Sequence, residues 1–286
     1  MSDRMVAPST ASELTVGGRR VRYRVSGDGP TVVMLHGIGR SLEDWSEQHA
    51  LLQQRFRVVS VDLAGFGGSE PLAEPCSLPA FAGFVEDFLD AGEVAGPVHL
   101  VGNSLGGAVA MQVAAQAPHR VTSLTLVDSA GFGREVSLTL RLLAIRPLAR
   151  LLLRHPTWSG ARQVERSIFH DPAFATDARI EHAHRLAHRP HAARVLLETA
   201  RSLGTLRGVR PEWRQRLLGA VAELGIPVLV VWGSRDRIIP AAHLNAAAAR
   251  LPHARTHLFE DTGHMPQIER ADAFSRLVTD FWRPLG

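Results

Sequence analysis

One serine in the sequence has the neighbours that a reactive serine requires. The stretch LVGNSLGGAVA, residues 100–110, places Ser104 in a Gly-x-Ser-x-Gly pattern, after an apolar run and before an alanine-rich run. A nucleophilic serine in the tight turn between a buried strand and a helix needs neighbours with almost no side chain. A surface turn with packing glycines gives the same pattern, so the interpretation of Ser104 as a nucleophile depends on partners elsewhere in the chain.

Two later residues could be those partners. A serine nucleophile needs a base, and the base needs a carboxylate that orients it. His264 follows an apolar run in FEDTGHMPQIE, and Asp236 follows the preceding run in WGSRDRIIP. We therefore predict a catalytic triad of Ser104, Asp236 and His264, in preference to a capping aspartate and a loop histidine. Asp128, in LVDSAG, is the alternative acid.

Acyl transfer also needs two hydrogen-bond donors for the developing oxyanion. The backbone N–H of Leu105 follows the nucleophile directly, and we predict it as one donor. The second donor should come from the glycine turn at residues 36–39, where we predict the backbone N–H of Ile38. Trp45 either contributes to the substrate pocket or anchors the helix after this turn. The candidate substrate contacts are Trp45, Asn103 and Met265.

Apolar runs predict the elements that position these residues. The predicted strands are 21–25, as an edge strand, 31–37, 56–63, 96–102, 123–131, 226–233 and 255–260. The predicted helices are around 41–54, 79–91, 104–117, 241–250 and 270–283. Continuous apolar runs are typical of strands buried on both faces of a parallel sheet, and their alternation with helices predicts an α/β fold.

Residues 132–222 interrupt this alternation. They contain no convincing strand, are rich in Leu, Ala, Arg and His, and are divided by several prolines. We predict a helical lid over 132–222, inserted into an α/β core formed by 1–131 and 223–286.

The absence of lysine excludes several kinds of site. All 32 basic residues are arginine. A phosphate-binding P-loop requires lysine before Ser or Thr, and Schiff-base chemistry requires a lysine nucleophile. The glycines from Gly102 to Gly107 also lack the spacing of a dinucleotide-binding loop. Because the net charge is only +4, we predict no nucleic-acid partner.

Chain length indicates the size of the hydrophobic core, and cysteine content indicates the cellular compartment. The chain has 286 residues and is 45% hydrophobic, which is enough for a substantial core. No apolar stretch is long enough to cross a bilayer, and residues 1–14 look like a polar leader without a secretory signal. Cys76 is the only cysteine, which excludes an intrachain disulfide and favours the cytoplasm.

With these motifs in order, the sequence resembles the α/β-hydrolase fold family. The matching stretches are HGIG (36–39), DLAGFGGS (62–69), GNSLGG (102–107), GSRDRIIP (233–240) and GHMPQIE (263–269). The resemblance implies a mostly parallel central sheet flanked by helices, an inserted lid, and serine chemistry that needs no cofactor and no metal. It also implies structural roles near the site for Gly37, Asp62 and Glu269. Family epoxide hydrolases and haloalkane dehalogenases use aspartate where Ser104 stands, so both are disfavoured.

The resemblance leaves several activities open. Our first expectation is a carboxylesterase or lipase-like hydrolase of an apolar or aromatic small-molecule ester. Hydrolysis of a C–C bond in aromatic ring-fission products is the alternative, although those enzymes typically have tryptophan where Met265 stands. They also use a lid arginine near the position of His182, and Arg185 and Arg189 are close to that position here. Acyl transfer to an acceptor other than water, or a non-catalytic ligand-binding protein on the same fold, would also be compatible.

Two features of the lid could have further roles. Arg146, Arg150 and Arg154 recur at four-residue steps opposite a leucine-rich face, which suggests a lid helix over the pocket or a weak association with a lipid surface. The side chains of Glu181, His184 and His188 share a helical face and are of types that can bind a metal ion. Because serine catalysis needs no metal, we predict that this face is solvated instead.

Overall fold

A computed structural model describes residues 11–92, 94, 96–145, 147, 149–150 and 153–285. Its large sheet has eight strands in the order β1-β2-β4-β3-β5-β6-β9-β10, and β7 pairs with β8 in a separate hairpin. The strands are β1 (Ser12–Val16), β2 (Arg19–Ser26), β3 (Thr31–Leu35), β4 (Arg57–Val61), β5 (Val98–Asn103), β6 (Val121–Val127), β7 (Gly204–Thr205), β8 (Gly208–Val209), β9 (Val228–Gly233) and β10 (Arg255–Phe259).

Helices connect the strands and cover the sheet. Within the described ranges they are α1 (Ser46–Leu52), α2 (Leu78–Ala91), α3 (Leu105–Gln116), α4 (Leu138–Leu142), α5 (Trp158–Ile168), α6 (Asp177–Ala187), α7 (Ala192–Leu203), α8 (Pro211–Glu223), α9 (Ala242–Arg250), α10 (Pro266–Glu269) and α11 (Ala271–Trp282). None of these helices is both long and apolar enough to cross a bilayer.

The sheet is mostly parallel, as the sequence predicted. β4, β3, β5, β6, β9 and β10 run parallel to one another in that spatial order, whereas β1 and β2 are antiparallel additions at one side. All residues of β5 and β9 are buried, because helices cover both faces of the sheet. Since β5, β9 and β10 point the same way, the loops that follow them open at the same edge of the sheet.

Two apolar clusters, one on each face, hold the helices against the sheet. One cluster includes the buried faces of α2, α3 and α8. The other lies under α1 and α11 and contains Trp45, Phe274 and Trp282. Trp45 is fully buried in this second cluster, with its ring centroid 6.4 Å from that of Phe274. This position corresponds to the anchoring role for Trp45 rather than to a pocket contact.

The structure differs from the sequence prediction at two places. The segment 21–25 belongs to β2, which is an interior strand because β1 pairs with its outer side. β1 includes residues 12–14 of the predicted leader, and residues 1–10 of that leader lie outside the described residues. The predicted lid segment also contains the short hairpin of β7 and β8. Both differences involve short or polar antiparallel strands, whose pairing depends on neighbours distant in sequence.

Apart from this hairpin, the regular secondary structure described between β6 and β9 consists of helices, from α4 to α8, joined by loops. Every strand of the large sheet lies outside residues 132–222. Arg150 and Arg154 are exposed, and Arg146 lies outside the described residues.

Candidate active site

Ser104 occupies a strained turn between β5 and α3. Its backbone has φ 55° and ψ −114°, and a positive φ is uncommon for a residue with a side chain. A Cβ atom on Gly102 would lie 2.2 Å from the backbone of Gly106, and one on Gly106 would lie 2.2 Å from the carbonyl oxygen of Leu35. The glycines of the motif are therefore required by close backbone approach, which presents the serine at the N-terminus of a helix.

His264 lies in the loop after β10, and its ring is oriented by Asp236. The His264 Nδ1–H donates to Asp236 Oδ2 over 2.7 Å, and both side chains are almost completely buried. Because a carboxylate can only accept, this bond fixes the tautomer with the proton on Nδ1. In the neutral form of this tautomer the Nε2 lone pair is available to accept a proton.

Asp236 is held by its own loop after β9. Its Oδ1 accepts hydrogen bonds from the backbone N–H groups of Ile238, at 2.7 Å, and Ile239, at 3.0 Å. The aspartate therefore uses one oxygen to close its turn and the other to hold the histidine. This arrangement explains why an aspartate at this point in the GSRDRIIP loop can serve both as a turn former and as an orienting acid.

Asp128, the alternative acid, lies beside Asp236. One carboxylate oxygen of each and a ring nitrogen of His264 all lie within 4.8 Å of one another. Asp128 Oδ1 accepts from the N–H of Gly233 at 2.9 Å, and its Oδ2 has no donor among the described residues. Complete burial and the adjacent Asp236 carboxylate raise the pKa of Asp128 well above its usual range. Burial and the neighbouring carboxylate therefore favour the neutral form of Asp128.

The glycine turn after β3 lies against Ser104. A Cβ on Gly37 would lie 3.3 Å from the Ser104 Cβ, so the backbone of residues 36–39 passes directly beside it. His36 stabilises this turn: its Nδ1 lies 2.7 Å from the Gly37 carbonyl oxygen, and its Nε2 accepts from the Leu63 N–H at 2.9 Å. Burial lowers the pKa of His36, which suits a neutral structural histidine. Ile38 in this turn and Leu105 at the start of α3 remain our predicted oxyanion donors.

Asn103 and Met265 are both buried beside the triad, in different surroundings. The Asn103 side-chain amide donates to the carbonyl oxygens of Val127, at 3.2 Å, and His264, at 3.1 Å. Its amide nitrogen is therefore bonded within the protein, where it joins the end of β5 to the His264 loop. Met265 packs in a small apolar cluster with Ile168 and Phe169 from the end of α5.

The same segment after α5 is bonded directly to the histidine loop. The His264 backbone N–H donates to the Ile168 carbonyl oxygen over 2.7 Å. The Glu269 carboxylate accepts from the N–H groups of His170, at 2.8 Å, and Asp171, at 3.0 Å, and also from the Gly263 N–H. Glu269 thus joins the two segments, and residues 168–171 help to position the His264 loop.

A buried ion pair makes a second connection, between α5 and the glycine turn. Arg40, at the end of the glycine turn, makes two hydrogen bonds to Asp44 and pairs with Glu165 of α5. The Glu165 side chain is completely buried. Breaking a buried pair by removing one partner typically costs about 3–5 kcal/mol, so this pair resists separation of α5 from the glycine turn.

Sequence reasoning did not identify Ile168, Arg40 or Glu165 as part of the site. Ile168 acts through its backbone carbonyl, which leaves no signal in residue type. Glu165 is one acidic residue in a polar helix, and its partner Arg40 is distant in sequence. The burial of Glu165 on a helix that is otherwise mostly exposed is visible only in the structure. The sequence therefore gives no signal that this side chain has a partner.

We expect Glu269→Ala to destabilise the protein by about 3 kcal/mol, because three backbone N–H groups lose a charged acceptor. Glu269→Gln should cost less, because the amide oxygen keeps some of these bonds. Urea unfolding measures both variants, and Glu260→Ala, at an exposed acidic residue of the loop after β10, is the control. A Glu269→Ala variant no less stable than the control would contradict this role.

The chain was compared with known proteins and structures. A family model described as alpha/beta hydrolase fold matches residues 30–271. An uncharacterized protein of Mycobacterium tuberculosis is 34% identical over 97% of this chain and 82% of its own length. A 2-hydroxy-6-oxononadienedioate/2-hydroxy-6-oxononatrienedioate hydrolase of Cupriavidus pinatubonensis is 32% identical over 88% of this chain and 86% of its own. The structure of a 2-hydroxy-6-oxo-6-phenylhexa-2,4-dienoate hydrolase from Rhodococcus has a TM-score of 0.80 and 26% identity, covering 96% of this chain and 98% of that one.

Proposed function

The chain belongs to the α/β-hydrolase fold family, and from this premise we propose that it is a serine hydrolase that cleaves an ester of an apolar or aromatic small molecule. The single observation that carries the proposal is the His264 Nδ1–Asp236 Oδ2 hydrogen bond of 2.7 Å, in a site next to a serine with φ 55°. This combination supports a base with the correct tautomer beside a strained nucleophile.

In the proposed mechanism, His264 Nε2 removes the proton from Ser104 Oγ while that oxygen attacks the acyl carbonyl. The backbone N–H groups of Ile38 and Leu105 stabilise the oxyanion, and Asp236 stabilises the charged imidazole. His264 then gives its proton to the leaving alcohol, and an acyl-enzyme remains on Ser104. Water, activated by His264, hydrolyses that ester and restores the serine.

Residues 132–222 are proposed as the lid that selects the acyl group. The bonds of the Ile168 carbonyl to the His264 N–H and of Glu165 to Arg40 support a lid that is fixed to the core at α5. Such a lid would define the pocket by its shape and would also exclude water from the triad.

Hydrolysis of a C–C bond is the second candidate, because two of the proteins similar to this chain are named as hydrolases of dienoate compounds. Two positions of this chain favour the ester. Met265 stands where C–C hydrolases of the family typically have tryptophan. His182 is near the position of their lid arginine, with Arg185 and Arg189 close by in the sequence. The His182 Nε2 lies 2.8 Å from Ser41 Oγ and 3.3 Å from a Glu43 oxygen, so it is already bonded within the protein.

A paired substrate assay tests the proposed function. The purified protein is given a series of p-nitrophenyl esters of increasing acyl length and, separately, a ring-fission dienoate. We expect the highest kcat/KM on one of the esters, with apolar acyl groups preferred. Turnover of the dienoate far above every ester would replace our proposal with the second candidate, and turnover of neither would contradict both.

A further inference from the structure

The charge of this protein is divided unequally between the lid segment and the rest of the chain. Residues 132–222 contain 16 arginines and only 7 acidic residues, a net charge of +9. The remaining residues have a net charge of −5, so the modest overall value of +4 conceals a strongly basic segment. Such asymmetry generates a local positive potential that attracts an anionic surface.

Exposed apolar side chains are concentrated in the same segment. Six large hydrophobic residues are exposed among those the structure describes, and four of them belong to 132–222: Leu138, Trp158, Val164 and Leu206. Leu138 is the most exposed, at 64%, and Leu206 is 47% exposed. Large apolar groups in water are unfavourable by themselves, so a basic surface that presents them is a candidate for docking.

Leu138 and Leu206 belong to one continuous surface at the base of the lid. Leu138 lies one turn before Arg141 on α4, and the Arg141 Nε–H donates to the Leu206 carbonyl oxygen over 2.6 Å. The backbone of Arg134 accepts from the Val209 N–H at 2.9 Å, which brings it to the same hairpin. We call this surface the lid-base patch and define it as Arg134, Leu138, Arg141, Leu206 and Arg207.

The cationic groups of this patch are poorly neutralised. Glu135, the nearby acid, lies 3.8 Å from the Arg134 guanidinium and also 3.2 Å from His243, so it is shared between them. Arg141 and Arg207 have no carboxylate partner in the part of the chain that the structure describes. Their charges are therefore available to an external anion.

We propose that the lid-base patch docks the protein on an anionic lipid surface. Arginines would lie at the level of the lipid head groups, and the two leucines between them would enter the adjacent acyl region. This chemistry favours a membrane over a nucleic acid, because aliphatic side chains neither stack on bases nor bond to their edges. The proposal goes beyond ester hydrolysis and does not depend on turnover.

Sedimentation with vesicles tests this proposal directly. The full-length protein is mixed with vesicles of phosphatidylcholine alone or of equal parts of phosphatidylcholine and phosphatidylglycerol. We expect binding only to the anionic vesicles, and it should fall steeply between about 0.1 M and about 1 M salt, where the Debye length shortens from about 10 Å to about 3 Å. Equal binding to both vesicles, or none to either, would overturn the proposal.

Matched variants separate the patch from general charge and hydrophobicity. Arg207→Gln should weaken binding about fivefold, and Leu206→Ser about tenfold. The controls are Arg276→Gln on α11 and Leu258→Ser on β10, where Leu258 is 39% exposed, and both should bind like the unaltered protein. Controls that lose as much binding as the patch variants would contradict the assignment to this patch. Binding to duplex DNA and RNA is measured separately, and tight binding to either without binding to anionic vesicles would also contradict it. Circular dichroism of each variant verifies that it is folded.

Discussion

Replacement of Ser104 by alanine is expected to lower kcat by about 10⁶-fold and to abolish covalent labelling by a serine-directed phosphonate. The variant loses the only atom that can form the proposed acyl-enzyme, while His264 and Asp236 keep their places. Alanine has the same Cβ as serine, so the backbone at φ 55° is no more strained than before and the protein should remain folded.

Intact mass spectrometry after phosphonate treatment measures the labelling, and the best ester substrate measures the rate. Ser129→Ala is the matched control, because Ser129 is a buried serine next to the same helix: a Cβ on Gly107 would lie 2.2 Å from its Oγ. This control should react with the phosphonate as the unaltered protein does. Equal labelling of Ser104→Ala and the unaltered protein would exclude Ser104 as the nucleophile.

Replacement of Asp236 by asparagine is expected to lower kcat by about 10⁴-fold. An asparagine amide can turn an N–H toward His264 Nδ1, which favours the tautomer with the proton on Nε2 and removes the base. Its oxygen can still accept from the backbone N–H groups of Ile238 and Ile239, so the loop should keep its shape. Steady-state kinetics compares this variant with the unaltered protein.

Asp128→Asn is the control for that experiment, since asparagine resembles the neutral carboxyl expected there. Its oxygen can accept from Gly233, so we expect far less loss of activity than in Asp236→Asn. The raised pKa of Asp128 also has a consequence for stability: the folded state holds a proton that the unfolded state releases at lower pH. That contribution to stability is present below the unfolded pKa and is lost as pH rises through the folded pKa.

Because asparagine does not titrate, the Tm of Asp128→Asn relative to the unaltered protein should increase as pH is raised from about 4, near the pKa of an unperturbed aspartate. Thermal melts across the pH range measure this difference. In the kinetic experiment, a loss of activity in Asp128→Asn as large as in Asp236→Asn would identify Asp128 as the orienting acid. In the thermal melts, a Tm difference between Asp128→Asn and the unaltered protein that does not change with pH would contradict a neutral Asp128.

The sequence alone was sufficient for most of the parallel part of the sheet, because its buried strands are largely apolar runs bounded by Gly, Pro or Asp. β10 is the exception, since Phe259 is its only buried residue. The α/β fold predicted from these runs is confirmed. The prediction was wrong about β2, which is not an edge strand, and it missed β1 and the hairpin of β7 and β8. These elements are short and polar or contain only two residues each, so their own residues do not specify the pairing.

The candidate triad came from local patterns. Gly102 and Gly106 indicate the strained turn at Ser104, because only glycine tolerates the close backbone contacts at these two positions. The position of Asp236 is likewise specified within one loop. Its carboxylate accepts hydrogen bonds from the backbone N–H groups two and three residues later, at Ile238 and Ile239, and so stabilises the turn. Chain order and glycine context were therefore enough to select these residues as candidates.

Only the tertiary structure distinguished the roles of the remaining groups. It buried Trp45 under α11 and turned the Asn103 amide toward two backbone carbonyls. It also joined Glu269, Ile168 and the Arg40–Glu165 pair into connections between residues 132–222 and the candidate triad. These properties depend on long-range contacts and burial, which residue type does not encode. Residue identity thus determined which chemistry was available, and packing decided which groups are oriented, neutral or in contact, because hydrogen-bond partners and pKa values are set by neighbours in space.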